Sequence, residues 1–408
     1  MLVHNFYQIP GGEDAVVREE LSMLQRNGID VELFSVTNDE IQGIGRSITT
    51  ALQVIYNPNA RRALTRKIRA FSPDIVHVHN FFPLLSPSIF DACRQAKVPS
   101  VLTLHNFRIL SPAALLHPAE LLRDHDLRAA CWWSVPKKVY RNSAVGTLAV
   151  AAMIEFHKRA GTWTRKVGRF IALSDWAKQM FVSGGLPAER IVVKPNCVER
   201  PPAFAGHQRN AGLFVGRLDE QKGIDLLLQA WRQIDYPLRI IGDGPLADLV
   251  ARNVGERIVY LGRQPREAVQ REMQAAKFLV LPSKGQEMFP VTILEAFSNR
   301  LPVICSDLPS LRELVEPLVT GIKFPQGNAD ALADRVRWAI SNPAALEEQG
   351  RRAHATYEER YTPEVNFNKL MGIYRELCNP SIHPRKRRTT ATQKAYWLLR
   401  PRAKSADV

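Results

Sequence analysis

The sequence predicts two doubly wound α/β domains in tandem, and three observations carry that expectation. The chain has 408 residues, more than one ordinary hydrophobic core accommodates, so about two domains are expected. Strand-like apolar runs alternate with helix-like amphipathic runs almost throughout, the pattern of parallel sheets covered by helices. The alternation pauses at "PPAFAGHQRN" (201–210), a polar, proline-bearing stretch that reads as a linker.

In the first half, "LVHNF" reads as a strand. "GGEDAVVREELSMLQRNG" then supplies a glycine turn, an acidic helix start, Val17, Leu21 and Leu24 on one face, and Gly28 as a stop. "IDVELFSV" is the next strand, "ARRALTRKIRAF" a basic helix, "DIVHVHN" a strand, "SIFDACRQAKV" a helix and "SVLTLH" a strand. After a long irregular and helical stretch come "RFIALS", a helix from "DWAKQMFVSGG" with Ser174 as its cap, and "RIVVKPN". The second half repeats the scheme with strands "AGLFVG", "LRIIG", "RIVYLG", "KFLVLPS" and "LPVICSD". Helices start near Lys222, Pro245, Pro265 and Pro290, proline being favoured in a first helical turn. The expected organisation is a first domain over 1–200, the linker 201–210, a second domain over 211–360, a last amphipathic helix within 361–378 and a basic tail over 379–408.

The net charge is +15, and residues 379–408 carry eight Lys/Arg against one Asp. Such a basic balance suits an anionic ligand or an anionic membrane face. No zinc-finger or RNA-recognition signature accompanies it, so nucleic acid is not an expected partner. The five cysteines are scattered without a CxxC pair, which argues against a zinc site or a disulfide framework and fits a reducing compartment. No apolar run reaches the ~20 residues of a membrane span. The nearest, "SAVGTLAVAAMI" (143–154), is short and closely followed by charge.

Ligands of doubly wound sheets bind beyond the carboxyl ends of the strands, so polar residues just after strands are the candidates. Gly11 and Gly12 follow the first strand and open a helix, where backbone N–H groups can meet an anion; an ordinary strand–helix turn is the alternative. His105 ends "SVLTLH" and could donate to a hydroxyl or phosphate, whereas His77 and His79, inside their strand, read as satisfied core histidines. Arg217 and Lys222 follow the first strand of the second half. Lys222 sits where a helix dipole disfavours a cation, which implies an anion nearby; surface pairing with Asp219 and Glu220 is the alternative. In "QEMFPVTILEAF" (286–297), Pro290 starts a helix that is apolar apart from a strip of Thr292, Glu295 and Ser298. Glu295 lies ~6 Å along the helix from Val291, about the step from a phosphate to its ribose. Glu287 lies in the preceding loop, placed to meet a sugar; the alternative is that Glu287 merely complements the helix dipole and Glu295 pairs with a neighbouring basic residue.

These motifs resemble a known family. "VGRLDEQKG", the E-x7-E spacing of Glu287 and Glu295, "LTLH", "LPVICSDLPSLRELV" and "TGIKF" are similar to the retaining group 1 glycosyltransferases of GT-B fold, from about residue 2 to 375. "VHNFYQIPGGED", "HKRAGTW" and "ALSDWAKQMFVSGGLPAERIVVKPN" resemble a bacterial branch that assembles surface polysaccharide. The resemblance implies two Rossmann-like domains facing across a cleft. Arg217 and Lys222 would hold the donor diphosphate, Glu295 the ribose, and Glu287 the sugar. Backbone N–H groups around Phe289, Pro290, Val291 and Thr292 would touch sugar and phosphate. His105 would lie beside the anomeric carbon, Gly12 in the loop closing from the first domain, and Arg263 near the base. No metal or other cofactor is expected, since the two cations replace it. The nucleotide-diphosphate-sugar is a substrate, and the acceptor is expected to be a lipid-linked glycan. A cytoplasmic protein, peripheral on the inner membrane face, is therefore expected. The segment 111–133, "SPAALLHPAELLRDHDLRAACWW", departs from the branch's pattern in a region expected to face the acceptor. A nucleotide-sugar epimerase of the same architecture and a non-catalytic sugar-nucleotide- or glycan-binding homologue are the alternatives.

Overall fold

A computed structural model describes residues 1–8, 11–37, 52–114, 127–202 and 209–379. The basic tail, most of the linker and the middle of 111–133 lie outside the described residues.

The first sheet contains β1 (Leu2–Phe6), β2 (Leu33–Thr37), β3 (Val76–Val78), β4 (Ser100–Thr103), β5 (Arg169–Ala172) and β6 (Ile191–Val193) in the order β2-β1-β3-β4-β5-β6. The second contains β7 (Ala211–Val215), β8 (Leu238–Ile241), β9 (Ile258–Gly262), β10 (Ala276–Leu281), β11 (Val303–Ser306) and β12 (Gly321–Phe324) in the order β12-β11-β10-β7-β8-β9. Every pairing in both sheets is parallel. Parallel strands need crossovers and cover on both faces, which is why their sequences are continuous apolar runs. Val76, Val78, Leu213, Leu279 and Val303 are all fully buried.

Helices α1 (Gly12–Arg26), α2 (Pro58–Phe71), α3 (Ile89–Ala96), α4 (Ala144–Arg159) and α5 (Asp175–Ser183) belong to the first half. Helices α6 (Ile224–Trp231), α7 (Arg266–Ala275), α8 (Val291–Ser298), α9 (Ala329–Ser341) and α10 (Pro343–Arg360) belong to the second. The last helix, α11 (Pro363–Cys378), follows α10 directly yet buries Leu370, Met371 and Tyr374 with Leu2, Val101 and Ile171 of the first sheet.

Strand order reverses direction at β1/β3 in the first sheet and at β7/β10 in the second. A reversal opens a crevice at the carboxyl ends, because successive crossover helices go to opposite faces there. Tyr7 and His79 follow β1 and β3, while Arg217 and Ser283 follow β7 and β10. Three contacts join the halves around these crevices. Met288 is buried in the first half's apolar cluster, although its neighbour Phe289 belongs to the second half's. The Glu313 carboxylate accepts the N–H of Asp175 at 2.8 Å, and that of Trp176, at the start of α5. Arg266 on α7 pairs with Glu19 on α1 at 2.9 Å.

Candidate active site

The loop after β7 is clamped by backbone packing. Gly242, after β8, has φ +146°, and a Cβ there would lie 1.8 Å from the Gly216 carbonyl oxygen. Gly223, just before α6, has φ +69°, and a Cβ there would lie 1.9 Å from the Pro282 carbonyl oxygen at the end of β10. Only glycine permits both approaches. Helix α6 therefore begins at Ile224, two residues later than Lys222, and the lysine stands in the turn rather than in the helix. Within that turn the Lys222 N–H donates to Asp219 Oδ1 at 2.9 Å.

The Lys222 ammonium lies 2.7 Å from both carboxylate oxygens of Glu287. Ser283 Oγ donates to Glu287 Oε1 at 2.7 Å. Arg217 pairs with Asp219 at 3.1 Å while 59% of its side chain stays exposed, so the surface pairing weighed for it is present and leaves most of the guanidinium open. Lys222, Glu287 and Ser283 thus meet at the crevice of the second sheet, and Asp219 links the Lys222 backbone to the Arg217 guanidinium.

Helix α8 spans Val291–Ser298 with Pro290 at its N-cap. Its first-turn N–H groups, including those of Val291 and Thr292, have no acceptor one turn earlier within the helix. Phe289 is buried edge-on against Tyr361, with ring centroids 6.0 Å apart, so its side chain is packing and only its backbone can face a ligand. The polar strip is narrower than expected. Ser298 is buried and its hydroxyl donates to the Glu295 carbonyl at 2.8 Å. Glu295 is half-buried. Burial raises its pKa, Arg266 opposes that, and Glu19 across the interface adds to it. Arg263 is exposed just past the end of β9.

On the first sheet, Gly11 is the N-cap of α1, with φ −110°, and its N–H donates to Asp14 at 3.0 Å. A Cβ at Gly11 or Gly12 would meet nothing within 4 Å, so packing within the chain does not call for glycine there. His105 lines a cavity with Tyr7, His79, Phe82, Asn106 and Arg108. Its Nε2 lies 3.0 Å from His79 Nδ1, and His79 Nε2 lies 3.1 Å from Glu20 Oε1. Burial, reinforced by neighbouring histidines, holds His105 well below the usual imidazole range and His79 at about 4.

Sequence reasoning missed Glu13 and Glu20. They stand seven residues apart on α1, two turns along one helix face, and that spacing was the available signal. Glu13 Oε2 accepts from Asn106 Nδ2 at 3.2 Å, and the Tyr7 hydroxyl stands beside the same buried carboxylate. Burial, then the charge of Asp14, pushes its pKa up to about 8 against Asn106, Tyr7 and Arg108. Glu20 is enclosed in the core. Burial alone would raise its pKa, but Lys194, His77 and His79 together hold it well below the usual carboxylate range. Among the described residues, Glu20, His77 and His79 form the one group spaced for a metal ion. Lys194 already stands 3.3 Å from that carboxylate and Tyr374 2.7 Å from His77, so its donors are held in a closed ionic network.

Residues 199–356 match the family described as "Glycosyl transferases group 1", and residues 10–200 match "Glycosyltransferase Family 4". Alpha-D-kanosaminyltransferase of Streptomyces kanamyceticus is 27% identical over 78% of this chain and 80% of its own length. A glycosyltransferase of amylovoran biosynthesis from Erwinia amylovora is 28% identical over 48% of this chain and 53% of its own length. The Anabaena HepE structure, in complex with UDP-glucose, superposes with a TM-score of 0.64 at 16% identity, covering 92% of this chain and 100% of that one. That superposition and the two parallel sheets give the architecture as GT-B. With both halves matched in order, the chain belongs to the group 1 glycosyltransferases.

Proposed function

We propose that the protein is a retaining glycosyltransferase that moves a sugar from a nucleotide-diphosphate donor onto a lipid-linked glycan in bacterial cell-surface polysaccharide synthesis. The observation that carries this is the Lys222–Glu287–Ser283 cluster on the loops that follow β7 and β10, the second of which leads into α8, with Arg217 on the first of them. Departure of the diphosphate builds negative charge, which Lys222, Arg217 and the helix N-terminus stabilise. Glu287 positions the sugar hydroxyls, Glu295 the ribose, and backbone N–H groups from Phe289 to Thr292 the phosphates. Arg263 stands beside the base, and Gly11–Gly12 closes from the first domain. The acceptor hydroxyl attacks from the face the diphosphate leaves and passes its proton to the departing phosphate. The two cations supply the charge that a metal would otherwise bring. UDP-glucose in the related HepE structure and the polysaccharide role of the Erwinia relative support donor and setting.

A lipid-linked acceptor at the inner membrane face is supported by the outer side of α4. Val145, Leu148 and Phe156 are exposed there, with Trp132 nearby in sequence also exposed. Lys137, Lys138, Arg141, Lys158 and Arg159 flank this stripe, an amphipathic pattern suited to an anionic interface. Among the described residues no helix is long and apolar enough to cross a membrane. The test is donor turnover across a panel of nucleotide sugars with polyprenyl-linked acceptors, followed by NMR of the new linkage. Inverted anomeric configuration would refute retention. Equal turnover without acceptor, returning an epimerised nucleotide sugar, would refute transfer.

A further inference from the structure

Four buried side chains, Lys194, Glu20, His77 and His79, lead from the core of the first domain to His105 at its cavity. Glu20 Oε1 lies 2.9 Å from His77 Nδ1 and 3.1 Å from His79 Nε2, and Glu20 Oε2 lies 3.3 Å from Lys194 Nζ. Lys194 is fixed in turn by Asn366 Oδ1 at 2.8 Å, and His77 by the Tyr374 hydroxyl at 2.7 Å and Thr103 Oγ1 at 2.7 Å. Asn366 and Tyr374 both come from α11. The far end of the chain of contacts is His105, whose Nε2 meets His79 Nδ1 at 3.0 Å.

With Glu20 ionised and His79 and His105 neutral, the protons in this chain have one consistent arrangement. An ionised carboxylate only accepts, and three nitrogen donors around Glu20 keep it ionised. His79 Nε2 therefore carries the proton it gives to Glu20. Buried and neutral, His79 has no second proton, so its Nδ1 accepts. His105 Nε2 must then donate. His105 is itself held neutral by burial, which leaves its Nδ1 as a lone pair. Among the described residues that nitrogen has no protein partner, and the ring lines the cavity.

We propose that Glu20 and His79 are positioning residues that fix His105 as its Nε2–H tautomer, so that His105 offers a hydrogen-bond acceptor to a substrate hydroxyl. This rests on the reading of His105 as a residue beside the reacting sugar, and it reverses the role expected from sequence. His105 does not donate to a phosphate, because two acceptors would then face each other. It receives the O–H of a sugar. The last helix enters the reaction through its contacts with Lys194 and His77.

The experiment uses the full chain with 15N-labelled histidine. A long-range proton–nitrogen spectrum at neutral pH should show His105 protonated at Nε2 and bare at Nδ1, with His79 likewise. A proton on His105 Nδ1, or a doubly protonated ring, overturns the relay and needs no variant. Glu20→Gln can offer its amide N–H to His79 and so releases the constraint. The His105 pattern should become mixed, and kcat should fall about 10–100-fold, as when an imidazole's outer partner is lost, with donor KM nearly unchanged. An unchanged His105 pattern in a folded Glu20→Gln protein also overturns it. Full activity in His105→Ala, with the wild-type spectrum as expected, would remove the reading of His105 at the reacting sugar and the positioning role with it, while the proton assignment would stand.

Discussion

The Lys222–Glu287 pair is read as two groups with separate substrate contacts that also hold one another, and this can be measured. The ammonium is 2.7 Å from both carboxylate oxygens, with 29% of the lysine side chain and 12% of the glutamate exposed. At an effective dielectric of about 20, unit charges at this range attract by roughly 6 kcal/mol before desolvation is subtracted. Exposed pairs retain ~0.2–1 kcal/mol, and breaking a buried one costs ~3–5 kcal/mol, so a half-buried pair should couple by about 1–3 kcal/mol. Under the proposed function, Lys222→Ala removes a cation from the leaving diphosphate and leaves Glu287 facing it as an uncompensated charge. Loss of one such electrostatic contact costs ~10²–10³-fold in kcat. Removing Glu287 as well relieves the repulsion. The double variant Lys222→Ala/Glu287→Ala should therefore retain roughly 5–150-fold more kcat/KM than the product of the single losses. The assay is nucleoside diphosphate release at varied donor concentration, with circular dichroism to check that each variant is folded. Coupling below ~0.5 kcal/mol, the limit of additivity for independent sites, would refute the shared role, and full activity in either single variant would refute the site.

Two further outcomes follow from the first domain. Glu13 is raised to about 8 by burial and by Asp14, whereas an unfolded glutamate titrates near 4.3; the folded state thus binds the extra proton between these values, and its stability should fall as pH rises from about 4.3 to 8. Glu13→Gln should flatten that slope in urea unfolding of the first-domain transition, and a wild-type slope of opposite sign would refute the assignment. On α4, Leu148→Asp should weaken binding to vesicles rich in anionic phospholipid at least about tenfold, or ~1.4 kcal/mol, and raised salt should release the wild type; no vesicle binding at low salt would refute a membrane-facing role for this stripe.

What the sequence discloses about this site depends on how far apart the partners lie along the chain. Strand and helix alternation, the positions after strands, and the spacing of Glu287 and Glu295 are local patterns, and the structure likewise puts Arg217, Lys222 and Glu287 in the loops that follow β7 and β10. The sequence singles out Lys222 as a cation at a helix start in need of an anion, with Asp219 and Glu220 as local partners; in the structure it stands in the turn before α6, and its ammonium meets a distant acid instead. Glu287 stands 65 residues away and meets Lys222 only because β10 lies beside β7. The histidines of "DIVHVHN" were read as satisfied core residues, and their burial agrees with that. Burial, however, is what makes them informative. Their partners include an acid from α1 and a tyrosine from a helix 297 residues on, and the acid is held in turn by a lysine from the segment after β6. A pair of buried histidines without an acid would cost the fold several kcal/mol if charged. Two histidines beside a buried acid, a lysine and a tyrosine instead set a direction for every proton between them. Periodicity registers each of these residues as a core position, because it records which face a side chain occupies and not what it meets there. The direction of the His105 hydrogen bond belongs to the assembled sheet and α11 together, and no segment of the sequence shorter than the whole chain contains it.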